Sequence, residues 1–251
     1  MRNVMLAPEA TDRLATDRPA ARQSAALQGF DLEELARVAS ELERKPAGAA
    51  VKWAWERFGT GVFVAASFQD SVLIDVAVKA VPEIEVVFLD TNYHFAETTW
   101  FVDRVRERYD LNLTVMQPLV GPDDMWQIDQ NECCAIRKVE PLARALAGRQ
   151  GWLTGLRRAE ASTRAAAPIV HLDLGRGVVK VNPLAPWTDL DVDGYVADNQ
   201  LLVHPLKERG YPSIGCWPCT RPIREGEDAR AGRWSGTGKT ECGLHGWPEP
   251  R

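Results

Sequence analysis

Residues 62–80, VFVAASFQDSVLIDVAVKA, join an unbroken apolar run to a short polar turn and then to a second apolar run at helical spacing. So short a run without polar members predicts a strand covered on both faces, Val62 to Ala66. The longer run predicts a helix from Ser71 to Ala80. The same alternation continues through a strand Ile84 to Leu89, a helix Glu97 to Tyr109, a strand Leu113 to Met116, a helix from about Cys134 to Leu146 and a strand Trp152 to Thr154. Apolar strands separated by helices specify an α/β fold, a parallel twisted sheet with helices on both faces.

Upstream, Asp31 is placed to cap a helix running through Leu32, Leu35, Val38, Ala39 and Leu42, and a second helix runs from about Ala49 to Phe58. Downstream, Ile169 to Leu172 and Val178 to Val181 read as a hairpin-like pair, followed by a helix near Asp191 to Asn199. From Tyr211 onward Gly, Pro and charged residues replace apolar periodicity. The chain therefore divides into a mobile arm (1–29), an α/β domain (30–210) and a cysteine-bearing C-terminal segment (211–251), the last ordered by what it binds rather than by a core of its own.

At 251 residues with 45% apolar content, the chain suits one sizeable α/β core. The net charge of −5 argues against a broad nucleic-acid surface, which is usually basic. No apolar run approaches the roughly 18 residues of a membrane span. The expectation is a soluble cytosolic protein that binds neither nucleic acid nor membrane.

In parallel sheets ligands bind beyond the carboxyl ends of the strands, which directs attention to residues 67–71, 90–98 and 155–164. Ser67, Asp70 and Ser71 lie where a strand becomes a helix, so hydroxyls and free N–H groups can face an anion, although a plain N-cap reads equally well. Leu89 and Asp90 end the next strand. Gly155-Leu-Arg-Arg158 with Ser162-Thr-Arg164 puts three guanidinium groups, those of Arg157, Arg158 and Arg164, on one loop, where they can give forked hydrogen bonds to phosphate or sulfate.

The five cysteines fall in three places: Cys133-Cys134, Cys216-Trp-Pro-Cys219, and Cys242 within Glu-Cys-Gly-Leu-His. Four thiolates suit an inorganic centre, zinc or an iron–sulfur cubane, and leave one thiol for chemistry. Adjacent cysteines are hard to aim at one zinc ion, whereas a cubane offers them separate corners. Cys-x-x-Cys alone is also compatible with a redox dithiol. Cys242 has Lys239 and His245 close by, and cations beside a thiol favour the nucleophilic thiolate.

Together these motifs resemble the cluster-containing branch of the sulfonucleotide reductases, the thioredoxin-dependent assimilatory adenylyl-sulfate reductases. The resemblance spans Ala66 to His245. It rests on Leu89-Asp-Thr91, His94-Phe-Ala-Glu-Thr98, Cys133-Cys-Ala-Ile-Arg-Lys138, Gly155 to Arg164, Tyr211 to Thr220, Gly232-Arg-Trp234 and Lys239-Thr-Glu-Cys-Gly-Leu-His245. It implies an adenine nucleotide alpha hydrolase-like fold in which Ser67 to Ser71 is a loosened ATP-pyrophosphatase phosphate loop. It further implies that Cys242 attacks the sulfur of adenosine 5'-phosphosulfate, releasing AMP and leaving an S-sulfonate that thioredoxin cleaves through a transient mixed disulfide. Lys138, Arg230, Arg233 and His245 would hold the phosphosulfate, with Ser67, Asp70, Leu89, Gly155 and Arg164 around the adenosine. Cys133, Cys134, Cys216 and Cys219 would carry a [4Fe–4S] cluster. Two departures stand out: Asn92 replaces a common glycine, which a left-handed backbone would tolerate, and Ser-Gly-Thr-Gly follows Trp234.

Three other readings differ in their requirements. A 3'-phosphoadenylyl-sulfate reductase generally lacks the cluster cysteines. An ATP pyrophosphatase acting on tRNA or forming amides would need a fuller Ser-Gly-Gly-x-Asp-Ser loop. A zinc-stapled nucleotide-binding module would need no nucleophile.

Overall fold

The computed structural model describes residues 29–245; the expected arm lies outside them apart from Gly29. Six strands form one sheet in the order β3-β2-β1-β4-β6-β5. They are β1 (Val62–Ala66), β2 (Val86–Leu89), β3 (Leu113–Met116), β4 (Gly151–Thr154), β5 (Val170–Asp173) and β6 (Val178–Val181). Every pairing is parallel except β5 with β6. That exception follows from chain length: the four residues between β5 and β6, ending on left-handed Gly177 (φ 69°), suffice only for a hairpin, whereas a parallel return needs a dozen or more.

Successive strand side chains point to opposite faces, and the two faces have separate cores. Val62 and Val64 of β1, Val86 and Phe88 of β2, and Val179 and Val181 of β6 pack with the apolar faces of α1 (Leu32–Leu42), α2 (Ala47–Phe58), α3 (Val72–Ala80) and α4 (Ala96–Tyr109). Phe63, Val87, Trp152 and Val178 face the other way, onto Leu142 and Leu146. Asp31 caps α1 as expected, accepting from the N–H groups of Glu33 (2.9 Å) and Glu34 (3.2 Å). Among the described residues no helix is long and apolar enough to cross a membrane.

The single helix expected from Cys134 to Leu146 is instead composite. Short helices α5 (Met125–Ile128) and α6 (Gln130–Cys134) lead into a π-helical stretch, Ala135–Val139, and then α7 (Glu140–Ala145). Asp129 starts α6 by accepting from Asn131 and Glu132 N–H. Pro141 has no N–H to give the carbonyl of Arg137. The turn ahead of it widens, and Glu140 N–H reaches back five residues to Ala135. Such π-turns concentrate at functional sites, and this one carries Lys138. The last helix, α8, spans Asp189–Asp198 with a Thr188–Asp191 capping box.

Gly151 opens β4 where a Cβ would lie 2.8 Å from the Val179 carbonyl. Gly151→Ala is therefore expected to destabilise the fold by about 1–3 kcal/mol through overpacking, measured as a lower denaturant midpoint at unchanged slope.

Candidate active site

The chain runs outward from β1 to β3 and then returns to β4 on the other side of β1, so the strand order switches between β1 and β4. Crevices open at such switch points beyond the carboxyl ends of the strands. A cleft lies there, walled by Ala66, Leu89 and Thr154 at the ends of β1, β2 and β4, and by Ser67, Asp70 and Gly155 in the turns that follow.

The turn after β1 is built on an unusual backbone. Phe68 has φ 54°, a region few bulky residues enter, and its ring is buried edge-to-face against Phe88 with centroids 5.2 Å apart. Asp70 accepts from Val72 N–H at 3.1 Å and so caps α3 while lining the cleft. Ser71 departs from expectation. It is 1% exposed, its hydroxyl has no hydrogen-bond partner, and it does not line the cleft. The Asp70 cap turns Ser71 inward, toward the core. After β2, Asn92 has φ 64° with its N–H bonded to Asp90 Oδ1 at 3.0 Å, the left-handed backbone under which asparagine can stand in for glycine.

The arginine loop after β4 is divided. Arg158 faces away: it donates to the Glu43 carboxylate and, at 2.8 Å, to the carbonyl of Ala167. The expected trio of anion-binding guanidinium groups is therefore a pair, because Glu43 at the end of α1 captures the third. Arg157 lines the cleft, pairs with Asp189 at 2.8 Å, and keeps a buried Nη1 without a partner. Arg164 lies between two carboxylates, Glu160 and Glu241, the latter forked at 2.7 and 2.6 Å.

Glu241 belongs to the C-terminal segment, which docks across the cleft mouth. Beyond the Arg164 fork, Leu244 packs against the second core. His245 stacks parallel to Trp152 at 6.2 Å. Arg230 reaches the carbonyl of Thr240 at 3.3 Å. Cys242 is thereby held inside the cleft with Lys138, Arg164, Arg230, Arg233 and His245. Burial, followed by the charges of Lys180, Arg164, Arg176 and Arg230, holds His245 well below the usual imidazole range. It meets a ligand as a neutral ring rather than as a cation.

A second, smaller cavity behind the first is lined by Cys133, Cys134, Cys216 and Cys219. Three turns of chain converge there. Trp217 N–H bonds the Tyr93 carbonyl at 2.8 Å, Trp234 N–H bonds the Cys219 carbonyl at 2.9 Å, and Thr91 Oγ1 lies 3.3 Å from Cys216 Sγ. All five cysteines are free thiols. Burial pushes Cys133 up to about 11, with Cys134, Cys216 and Cys219 adding to it, so thiolate charge is costly here unless a counter-charge meets it. Among the described residues no three His, Cys, Asp or Glu side chains are grouped around one ion position; the four sulfurs share a cavity instead.

Lys138, Arg233 and Trp234 line both cavities. Burial acts to lower Lys138, but Cys216, Cys242 and Cys134 outweigh it and raise the ammonium above its ordinary range. Arg233 is lowered by burial and then by Arg230. It donates to Ser213 Oγ at 3.2 Å and stacks 4.5 Å over Trp234. Arg137, next to Lys138 in sequence, has a structural role instead: it is 1% exposed, bonded to the Gly121 carbonyl at 2.6 Å and to Asp123 at 3.0 Å.

Sequence reasoning missed Trp152, Lys180 and Glu241 as parts of the site. A lysine inside the apolar run Val178 to Val181 was a usable signal, since a charge there must find a partner. Nothing local marks Glu241, whose partner Arg164 lies 77 residues away.

The Arg233 guanidinium fills the space that a side chain on Gly215 would need. Gly215→Ala is expected to leave the fold intact, displace Arg233 and weaken binding of a sulfate ion in the cleft about tenfold by calorimetry, the loss of one charge-assisted contact.

Comparison with known proteins agrees with this geometry. The family model of the phosphoadenosine phosphosulfate reductase domain matches residues 61–222. Adenosine 5'-phosphosulfate reductase of Mycobacteroides abscessus is 47% identical over 218 residues, 83% of this chain and 92% of that protein. Among solved structures, phosphoadenylyl-sulfate reductase from Candida auris, a phosphate complex, aligns with TM-score 0.69 at 25% identity over 77% of this chain and 98% of that one. FMN adenylyltransferase of Candida glabrata shares the fold alone, with TM-score 0.55 and 15% identity over 80% of this chain and 70% of its own. A cleft at the β1/β4 switch that holds a thiol among cations, a family match spanning all six strands and a relative 47% identical over most of both chains make this chain a member of the phosphoadenosine phosphosulfate reductase family.

Proposed function

We propose that the protein reduces adenosine 5'-phosphosulfate to sulfite and AMP, with Cys242 as the nucleophile. The observation that carries this is the placement of Cys242 in one cleft with Lys138, Arg164, Arg230 and Arg233. The Cys242 sulfur attacks the sulfur of the phosphosulfate, the bond to the bridging oxygen breaks, and its electron pair leaves on AMP. Negative charge grows on the sulfonyl oxygens and the leaving phosphate, where preorganised cations stabilise it most effectively. Lys138 and Arg233, at the inner wall, suit the transferred group. Arg164 becomes available to the nucleotide as Glu241 releases it. Ser67, Leu89 and Gly155, at the strand ends, suit the adenosine.

The resulting Cys242 S-sulfonate is reduced by a dithiol. One thiolate attacks the Cys242 sulfur, sulfite leaves with the electron pair, and the second thiol resolves the mixed disulfide. Thioredoxin is the partner of that chemistry. A dithiol donor and unpaired cysteines suit the reducing cytoplasm.

Cys133, Cys134, Cys216 and Cys219 would hold a [4Fe–4S] cluster. The donor set fits: four cysteines line one buried cavity, two of them adjacent and so better matched to different corners than to a single ion. When bound, it supplies a fixed charge centre behind Lys138, not the electrons of the reduction. The presence of all four cysteines favours the 5'-phosphosulfate over its 3'-phosphorylated form. A larger kcat/KM for the 3'-phosphorylated nucleotide would reverse that choice.

Incubating the protein with adenosine 5'-phosphosulfate alone is expected to add one sulfonate to the Cys242 peptide by mass spectrometry. Cys242→Ser should form no adduct while still binding AMP; an adduct on another residue would exclude this nucleophile. Anaerobically purified protein is expected to contain iron and to absorb broadly in the visible range, with both lost in Cys219→Ser. A colourless protein with stoichiometric zinc would contradict the cluster.

A further inference from the structure

Lys180 is the one charged member of β6, every residue of which is buried, and it is only 3% exposed. Its cross-strand neighbours are Trp152 on β4 and His171 on β5, so it projects from the sheet face on which the C-terminal segment docks. Burying an ammonium is costly unless it is hydrogen-bonded. Its Nζ lies 3.1 Å from Nδ1 of His245 and 5.0 Å from the centre of the Trp152 ring. The His245 ring in turn lies parallel to Trp152, 2° apart.

An ammonium has three donors and no acceptor. At this contact Nδ1 of His245 must therefore accept, and the proton of the neutral ring sits on Nε2. His245 lines the cleft three residues from Cys242, so the position of that proton decides whether the ring offers a donor or a lone pair there. We propose that Lys180 is a positioning residue: by donating to Nδ1 it locks His245 in the Nε2–H form, supplying one uncharged donor to the sulfonyl group as it passes to Cys242. This rests on the sulfur-transfer reading above.

The lock has a pH limit. Burial pulls Lys180 down to about 8, with Asp173 opposing it, Arg176 and Arg164 adding to it and Cys242 opposing it. His171 on β5 also faces Lys180, and burial takes it to about 4, far from that range. Above pH 8 the neutral amine can accept from Nδ1–H, and the ring is free to change tautomer. This pH change is read on the ring and not on the rate.

The test compares wild type, Lys180→Met and Lys180→Arg, each labelled with nitrogen-15 at its four histidines, with His245 assigned from the signal lost in His245→Gln. Wild type is expected to show unprotonated Nδ1 at pH 7 and mixed tautomers above pH 8. Lys180→Met should be mixed at pH 7 and should slow single-turnover sulfonation of Cys242 by about 10–100-fold, as losses of ring-orienting partners do, at little-changed affinity for adenosine 5'-phosphosulfate. Lys180→Arg should restore the tautomer and most of the rate. An unchanged tautomer and rate in Lys180→Met, or equal loss of nucleotide affinity in both variants, overturns the proposal. If Lys180→Met does not fold, the wild-type titration decides, because protonated Nδ1 at pH 7 overturns it. A wild type that forms no sulfonate adduct refutes the functional reading, and the ring measurement still judges the lock.

Discussion

The wall between the nucleotide cleft and the four-cysteine cavity is made of cations. Lys138 and Arg233 face both spaces, and a charge set among packed groups persists only where opposite charge or hydrogen bonds meet it. Four cysteines lie on one side of it, and the cleft holding Cys242 lies on the other. Much of the surrounding architecture serves that wall. The π-turn at Ala135–Val139 carries Lys138, Gly215 leaves room for the Arg233 guanidinium, and Trp234, at φ 48°, lays its ring beneath that guanidinium. Arg137 is spent on anchoring: pinned to Gly121 and Asp123, it ties the segment carrying two of the cysteines to the loop after β3.

The C-terminal segment completes the cleft through contacts of three kinds. Leu244 joins the second core, His245 stacks on Trp152, and Glu241 forks onto Arg164. The apolar contacts hold the segment against the sheet whatever occupies the cleft. The ion pair is polar and faces the cleft, with Arg164 and Glu241 both lining it. Cys242 lies between the Glu241 ion pair and the apolar contacts of Leu244 and His245.

Legibility in the sequence tracked the range of the interactions. The β1 strand and α3 helix were plain from residues 62–80, because burial on both faces forces an unbroken apolar run. Asn92 meets the condition set for it, a left-handed backbone at φ 64°, which few residues other than glycine enter. Cys242, Lys138, Arg157, Arg164, Arg230, Arg233 and His245 do gather in one cleft, as their motifs implied. Ser71 does not, because Asp70 takes the cap and turns the serine hydroxyl inward. Arg158 does not either, because Glu43, 115 residues distant, captures it. The break of the Cys134 to Leu146 helix into α- and π-segments was also hidden, as apolar spacing barely distinguishes four residues per hydrogen-bonded ring from five.

The amino-acid sequence alone determined the strands and longer helices, the parallel sheet and the residue types able to perform sulfur chemistry, since these depend on spacing along the chain and on intrinsic reactivity. Tertiary structure alone decided which arginines face ligand and which face carboxylate, that Lys138 and Arg233 form one shared wall, and that Lys180 lies against His245. Those outcomes depend on distances between segments far apart in the chain, and a partner that arrives through folding leaves no mark on the local pattern.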